Sequence, residues 1–128
     1  MKRLHLALAF SLLLVVFAGT ARAHHSFAAT YGEGRQTIEG VVIQFLLRNP
    51  HSFVQVEVKD AQGAVQTWAV EWAAAGQLAG QGIKRDTIKV GDRVVVVGNP
   101  ARNVDDHRLR MLNITRPSDG LKWGGAFD

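Results

Sequence analysis

Residues 52–59 (SFVQVEVK) alternate without a break: Val54, Val56 and Val58 fall on one side, Gln55, Glu57 and Lys59 on the other. A period of two predicts an antiparallel strand with one buried face. Residues 64–72 (AVQTWAVEW) repeat the pattern after an Asp60-Ala61-Gln62-Gly63 turn and set Trp68, Val70 and Trp72 on a common face. Upstream, residues 37–47 (TIEGVVIQFLL) are rich in branched and aromatic side chains and predict a longer strand. Gly40 inside that run is the sign of a bulge or sharp bend of the kind found at barrel corners. Arg48-Asn49-Pro50-His51 then breaks the pattern, because proline has no amide hydrogen and restricts the residue before it. Residues 73–82 predict one helix, in which Gly76 and Gly80 each cost about 1 kcal/mol relative to alanine. Consecutive valines, Val94 to Val97, predict a strand buried on both faces, as in a closed barrel. Residues 108–115 (RLRMLNIT) predict a last strand of uneven alternation.

Strand, strand, strand, short helix, strand, strand is the element order of an OB-fold, a five-stranded Greek-key barrel. A small β-sandwich is the competing architecture, but it usually needs about seven strands. The fold class expected is therefore all-β with one short helix, a five-stranded OB-like barrel over residues 37–116. Residues 24–36 mix small, polar and glycine side chains and predict an extended arm, with Phe27 and Tyr31 as apolar anchors. Residues 117–128 predict a flexible tail with Trp123 and Phe127 as anchors.

The chain begins with a different pattern. Lys2-Arg3 precedes an apolar run from Leu6 to Ala18, and Ala21-Arg22-Ala23 supplies a small-x-small cleavage site. This predicts a signal helix over residues 1–23, removed on export to the periplasm or medium. The apolar run is short of the roughly 20 residues that span a bilayer, so no stable membrane span is expected after cleavage. An uncleaved anchor is the alternative.

Charge changes the picture little. The 128-residue chain has a formal net charge of +4, but Lys2, Arg3 and Arg22 hold three of its fifteen Lys and Arg. What remains is nearly balanced against eleven Asp and Glu. No clustered basic face is visible, which argues against a nucleic-acid partner. The absence of cysteine removes disulfides, thiolate metal sites and thiol nucleophiles. There is no Gly-rich phosphate loop, no nucleophile elbow and no HExxH pair, so an enzyme is not expected.

The remaining chemistry lies with histidine. Cleavage after Ala23 leaves a terminus reading His24-His25-Ser26-Phe27, where an amine and two imidazoles stand together. Nitrogen-rich tetragonal sites suit Cu(II), and imidazole also suits zinc and nickel. In the barrel, His51 lies in the loop between the first two strands and His107 at the close of the loop between the last two. Those loops flank the face that OB-folds use for ligands. The third strand returns to the same end, so Glu71, Trp72, Asp105 and Asp106 are expected nearby. The candidate metal ligands are thus His24, His25, His51 and His107; Asn49, Glu71, Trp72 and Asp105 are weaker ligand-binding candidates. Each has a plainer reading: an accidental His-His pair on an arm, His51 fixing a turn, Glu71 paired with Arg48 or Arg93, Trp68 and Trp72 packed in the core. The arm also enters strand one at the end opposite the first loop. About twelve extended residues reach roughly 40 Å, against about 36 Å for an eleven-residue strand, so the terminus can form a site of its own.

The motifs His24-His25-Ser26-Phe27-Ala28, Asn49-Pro50-His51, Trp68-Ala69-Val70-Glu71, Gly91-Asp92-Arg93-Val94 and Gly98-Asn99-Pro100-Ala101-Arg102 together resemble one family. It comprises small exported bacterial proteins of unknown function whose mature chains open with His-His-Ser-Phe. The resemblance spans nearly all of residues 24–120 and implies an exported single-domain protein with no established activity. Where relatives often carry Trp before Asn-Pro-His, this chain has Leu47-Arg48; where they often read Ser-Pro-x-x-Leu, it has Ala73-Ala74-Ala75-Gly76-Gln77-Leu78. The expected role is an exported binding module holding a divalent transition metal such as copper. The alternative is a metal-free module for a small organic ligand or an envelope protein partner.

Overall fold

A computed structural model describes residues 27–124. The expected signal helix, the cleavage site, His24 and His25 lie outside the described residues. Residues 27–30 are helical, not extended as the arm was expected to be, and the barrel unit begins at Tyr31. Its elements are β1 (Gln36–Leu46), β2 (Phe53–Lys59), β3 (Val65–Glu71), α1 (Ala75–Gly80), β4 (Arg93–Pro100), a single 3-10 turn (Val104–Asp106), β5 (Arg108–Arg116) and β6 (Leu121–Gly124). The sheet runs β3-β2-β1-β4-β5-β6, and a parallel β3–β5 pairing closes the first five strands into an OB-like barrel.

Closure explains the alternation. Val54, Val56, Trp68, Val70, Val94, Val96, Leu109 and Met111 all face inward and are buried, together with Leu78 of α1 and Ile83 behind it. The valine run of β4 is deeply buried only at Val94 and Val96; Val95 and Val97 on the outer face are half-buried. The uneven pattern of β5 has a local cause. Val97 pairs with Asn113 but Gly98 with Met111, so Leu112 is an extra residue that turns the next core side chain, Ile114, back inward. A second bulge, at Ile43, separates Val42↔Val56 from Gln44↔Gln55.

Gly40 sits three residues before that bulge, where β1 passes from pairing with β4 to pairing with β2. The two backbones approach so closely there that a Cβ would lie 2.1 Å from the Glu57 carbonyl oxygen. Only glycine fits. At the start of α1, Ala74 offers no side-chain cap, and the Gln77 Oε1 accepts the Ala74 amide at 3.2 Å.

The segment from 117 is not the loose tail expected. Leu121–Gly124 pairs antiparallel with Asn113–Arg116 as a sixth strand, and Trp123 packs edge-on against Trp72 at 6.2 Å. The turn into it is built by Asp119, whose carboxylate accepts from Arg116 Nε and Nη2 and from the Leu121 amide.

Arg116 also donates to Asp92 Oδ2 at 2.5 Å, and the Lys89 amide donates to the same oxygen at 2.9 Å. Burial works to raise the Asp92 pKa, but the Lys89 amide and the Arg116 guanidinium outweigh it and hold the carboxyl below its usual range. A carboxyl depressed by folding stabilises the fold above its unfolded pKa of about 3.9, and that contribution is lost as pH falls through the lower folded value. Asp92→Asn is therefore expected to be less stable than the parent at neutral pH and to lose less stability on acidification below about pH 4. Urea melts followed by circular dichroism at each pH measure this; an acid limb identical to the parent's would contradict it.

Candidate functional site

The loop between β1 and β2 is closed by one buried hydroxyl. Ser52 Oγ accepts from the Arg48 amide and donates to the Arg48 carbonyl, each at 3.2 Å, and the Asn49–Pro50 peptide is cis. The Ser52 amide and carbonyl bond Ala73 and Trp72 across the sheet end, at 3.0 and 2.8 Å. The loop is thereby pinned to the end of β3, and His51 comes to rest beside Glu71, whose register partner on β2 is Phe53.

Glu71 is the buried charge of the barrel, 7% exposed. Its Oε1 lies 2.5 Å from His51 Nδ1, and its Oε2 accepts from Arg108 Nη2 at 3.0 Å and from the Tyr31 hydroxyl. Three donors on one carboxylate satisfy the condition under which a buried charge is tolerated. Burial, and then the hydrogen bond to Glu71, push the Tyr31 phenol well above its usual range, so Tyr31 stays protonated and donates. A carboxylate oxygen only accepts, so His51 Nδ1 is the donor to Glu71. Arg108 reaches Glu71 because β3 and β5 pair in parallel, Ala69 opposite Arg108 and Glu71 opposite Arg110.

Beside this centre the outer face carries Phe53 with two guanidiniums near its ring, Arg48 at 5.2 Å and Arg108 at 5.9 Å. Such a face suits a ligand that presents negative charge or a π-surface. Electrostatically the centre couples one anion to one fixed cation, with an imidazole and a phenol completing it.

The candidate residues separate into several environments. His51 and Glu71 are in contact. Glu71 pairs with Arg108, not with Arg48 or Arg93 as the plainer reading had it; Arg93 instead bonds Glu39 at 3.0 Å on the surface. His107 is not beside His51: its ring stacks on Trp68 at 5.1 Å, and its carbonyl accepts from the Ala69 amide. Asp105 and Asp106 are exposed in the 3-10 turn, tied to Asn103. Asn49 is exposed on the cis loop. Trp72 is 5% exposed and packs between Phe45 and Trp123, a core residue and not part of a ligand surface. Among the described residues no three His, Asp or Glu side chains gather closely enough to hold a metal ion. His51 is the imidazole among them that a buried carboxylate orients. Sequence reading missed Arg108 and Ser52 and took Tyr31 as a packing anchor alone; the buried serine following Asn-Pro-His was the available signal for the loop lock.

The model of a family of unknown function (DUF6152) matches residues 12–110. No curated protein matches the chain. Among solved structures, the mitochondrial single-stranded DNA-binding protein Rim1 from S. cerevisiae superposes with a TM-score of 0.50 at 13% identity, over 66% of this chain and 93% of that one. That likeness concerns the fold. It also corrects the exclusion of nucleic acid drawn from charge balance, since the same barrel serves in a protein named for binding single-stranded DNA.

Proposed function

The chain belongs to the DUF6152 family of unknown function, and from that premise we propose that it is an exported binding module that holds a divalent transition metal, copper foremost, through histidine. The observation that supports this is the tethering of His51 Nδ1 to a buried carboxylate that is itself fixed by Tyr31 and Arg108. Metal-binding imidazoles characteristically donate their second nitrogen to such a partner, which fixes the tautomer and ring orientation and raises ligand basicity. An imidazole oriented by a fixed carboxylate is suited to Cu(II), which heads the affinity order for divalent ions at nitrogen sites. The matured terminus, with its amine and the rings of His24 and His25, is a second chelating group by its chemistry alone.

The protein, confirmed by mass spectrometry to begin at His24, is titrated with Cu(II) by calorimetry and by electron paramagnetic resonance. His51→Ala is expected to weaken the barrel site and remove one nitrogen coupling from its spectrum. Glu71→Gln, with its fold checked by thermal melting, is expected to weaken it by about 10–100-fold. Acetylating the amine separates the terminal site from the barrel site. Binding no tighter than micromolar that neither His51→Ala nor acetylation alters would overturn the proposal.

A further inference from the structure

Behind Arg108, under the loop that joins β4 to β5, lies a cleft of about 220 Å³. Trp68, Pro100 and Val104 give it apolar walls; Asn103, His107 and Arg108 give it polar ones. It is smaller than the roughly 300–1,000 Å³ of pockets for drug-sized molecules.

Two of its lining residues carry an unmet donor. The Trp68 Nε1–H and the Arg108 Nε–H are both buried without a hydrogen-bond partner among the described residues. Buried donors are nearly always paired, and each exception asks for an explanation. Here both exceptions belong to residues that line one cleft, and both are donors, so what they lack is an acceptor. One sits on a guanidinium, which favours an acceptor with negative charge.

A third observation falls in the same place. His107 is the one non-glycine residue with positive φ among the described residues, at 43°, and its ring lies against the Trp68 indole. Residues held in left-handed backbone cluster at ligand-binding and switching positions. The same His107 lines the cleft. Val104, on the same loop, is an apolar side chain 79% exposed. No Asp or Glu is among the residues that line the cleft.

We infer that this cleft is a binding site for a small organic carboxylate with a flat apolar body, its carboxylate taking the Trp68 and Arg108 donors as the His107 ring moves aside and its body lying against Trp68, Pro100 and Val104. The site is separate from histidine-bound metal. It shares Arg108 with the Glu71 centre but needs neither His51 nor an ion.

The test uses the protein beginning at His24, in excess chelator, with benzoate as the probe. Nitrogen-15 spectra resolve three indole resonances, assigned by single Trp→Phe variants. Benzoate is expected to shift the Trp68 indole proton saturably downfield and leave those of Trp72 and Trp123 in place. Trp68→Phe, which keeps the ring face and loses the N–H, should weaken binding about tenfold, the scale of one hydrogen bond to a charged group. Val104→Asp changes only an exposed side chain and places a negative charge at the mouth; it should weaken benzoate by a similar factor and serves if Trp68→Phe does not fold. His51→Ala should leave benzoate binding unchanged, which keeps this result apart from that of the copper titration. An unmoved Trp68 resonance, or benzamide and benzyl alcohol binding as tightly as benzoate, would overturn the inference.

Discussion

Gly40→Ala is expected to destabilise the protein by at least about 3 kcal/mol, at the upper end of overpacking penalties. The added Cβ would lie 2.1 Å from the Glu57 carbonyl oxygen and 2.8 Å from Val56 Cγ1. The first of these atoms is backbone in a paired strand, so it cannot turn away as a side-chain tip does. Relief requires β1 and β2 to separate at the place where β1 changes partners, which would also disturb the nearby Ile43 bulge. In a domain of this size such a loss lowers the melting temperature by more than about 10 °C. Gly76→Ala is the matched control: nothing lies within 4 Å of its Cβ, it sits in α1, and it is expected to stabilise by about 0.5–1 kcal/mol. Thermal and urea melts of the two variants decide the matter, and a Gly40→Ala protein within about 1 kcal/mol of the parent would mean the strands do not cross this closely.

The second large effect is expected at Glu71. Glu71→Ala removes the acceptor from Tyr31, His51 and Arg108 at once. Breaking a buried pair on one side typically costs about 3–5 kcal/mol, because the surviving charge stays behind without compensation. The Arg108 side chain is 36% exposed, so water can take up part of that charge, and the value expected is at the lower end, about 3 kcal/mol. Glu71→Gln keeps an acceptor for the phenol and is expected to cost less, about 1–2 kcal/mol. Tyr31→Phe removes one neutral donor and is expected to cost about 1 kcal/mol. Urea melts of these variants and of the Tyr31→Phe/Glu71→Ala double variant close a cycle, in which the double should cost less than the sum of the singles. Strict additivity would mean that Tyr31 and Glu71 are not coupled.

Much of the barrel was legible because most neighbouring strands follow one another as hairpins, β1–β4 and β3–β5 being the exceptions. The clean period of β2 and the Trp68-Val70-Trp72 face of β3 name the core directly, and a tight turn between them fixes Phe53 opposite Glu71. That pairing brings the Asn-Pro-His loop to the end of β3, so the neighbourhood of His51 and Glu71 followed from local pattern. The bulges were visible only as disturbances: a glycine three residues from the real irregularity in β1, and the three-residue spacing of Met111 and Ile114 in β5.

What local pattern did not carry was the set of partners that arrive from far along the chain. Arg108 meets Glu71 across a parallel pairing, which no turn announces, so the nearer arginines, Arg48 and Arg93, were the natural wrong choices. Tyr31 reaches the same carboxylate because the arm runs beside the end of β4, bridging to Ala101. His107 left the expected histidine cluster because a left-handed backbone turns it onto Trp68. β6 escaped notice because four residues ending in glycine and following a Pro-Ser-Asp-Gly turn hold too little alternation to stand out.

The parallel pairing also bears on how the barrel comes together. It spans three register pairs, Ala69 to Glu71 against Arg108 to Arg110, where the hairpin β2–β3 spans seven. Nothing nearby in sequence brings these strands together, and the loop to be closed contains α1 and all of β4. Contacts of such long separation pay their chain entropy before they return any stabilisation. The β1–β4 pairing joins residues still further apart but spans six register pairs, so of the two long-range joints the β3–β5 seam has the fewer backbone pairs to offset its closure. Side chains cross a ladder that short as well: Val70 and Leu109 pair in the core, and Glu71 on one stave bonds Arg108 on the other. The polar centre of this protein thus lies across the shortest seam of its barrel, and a group bound there would touch both of the strands that close it.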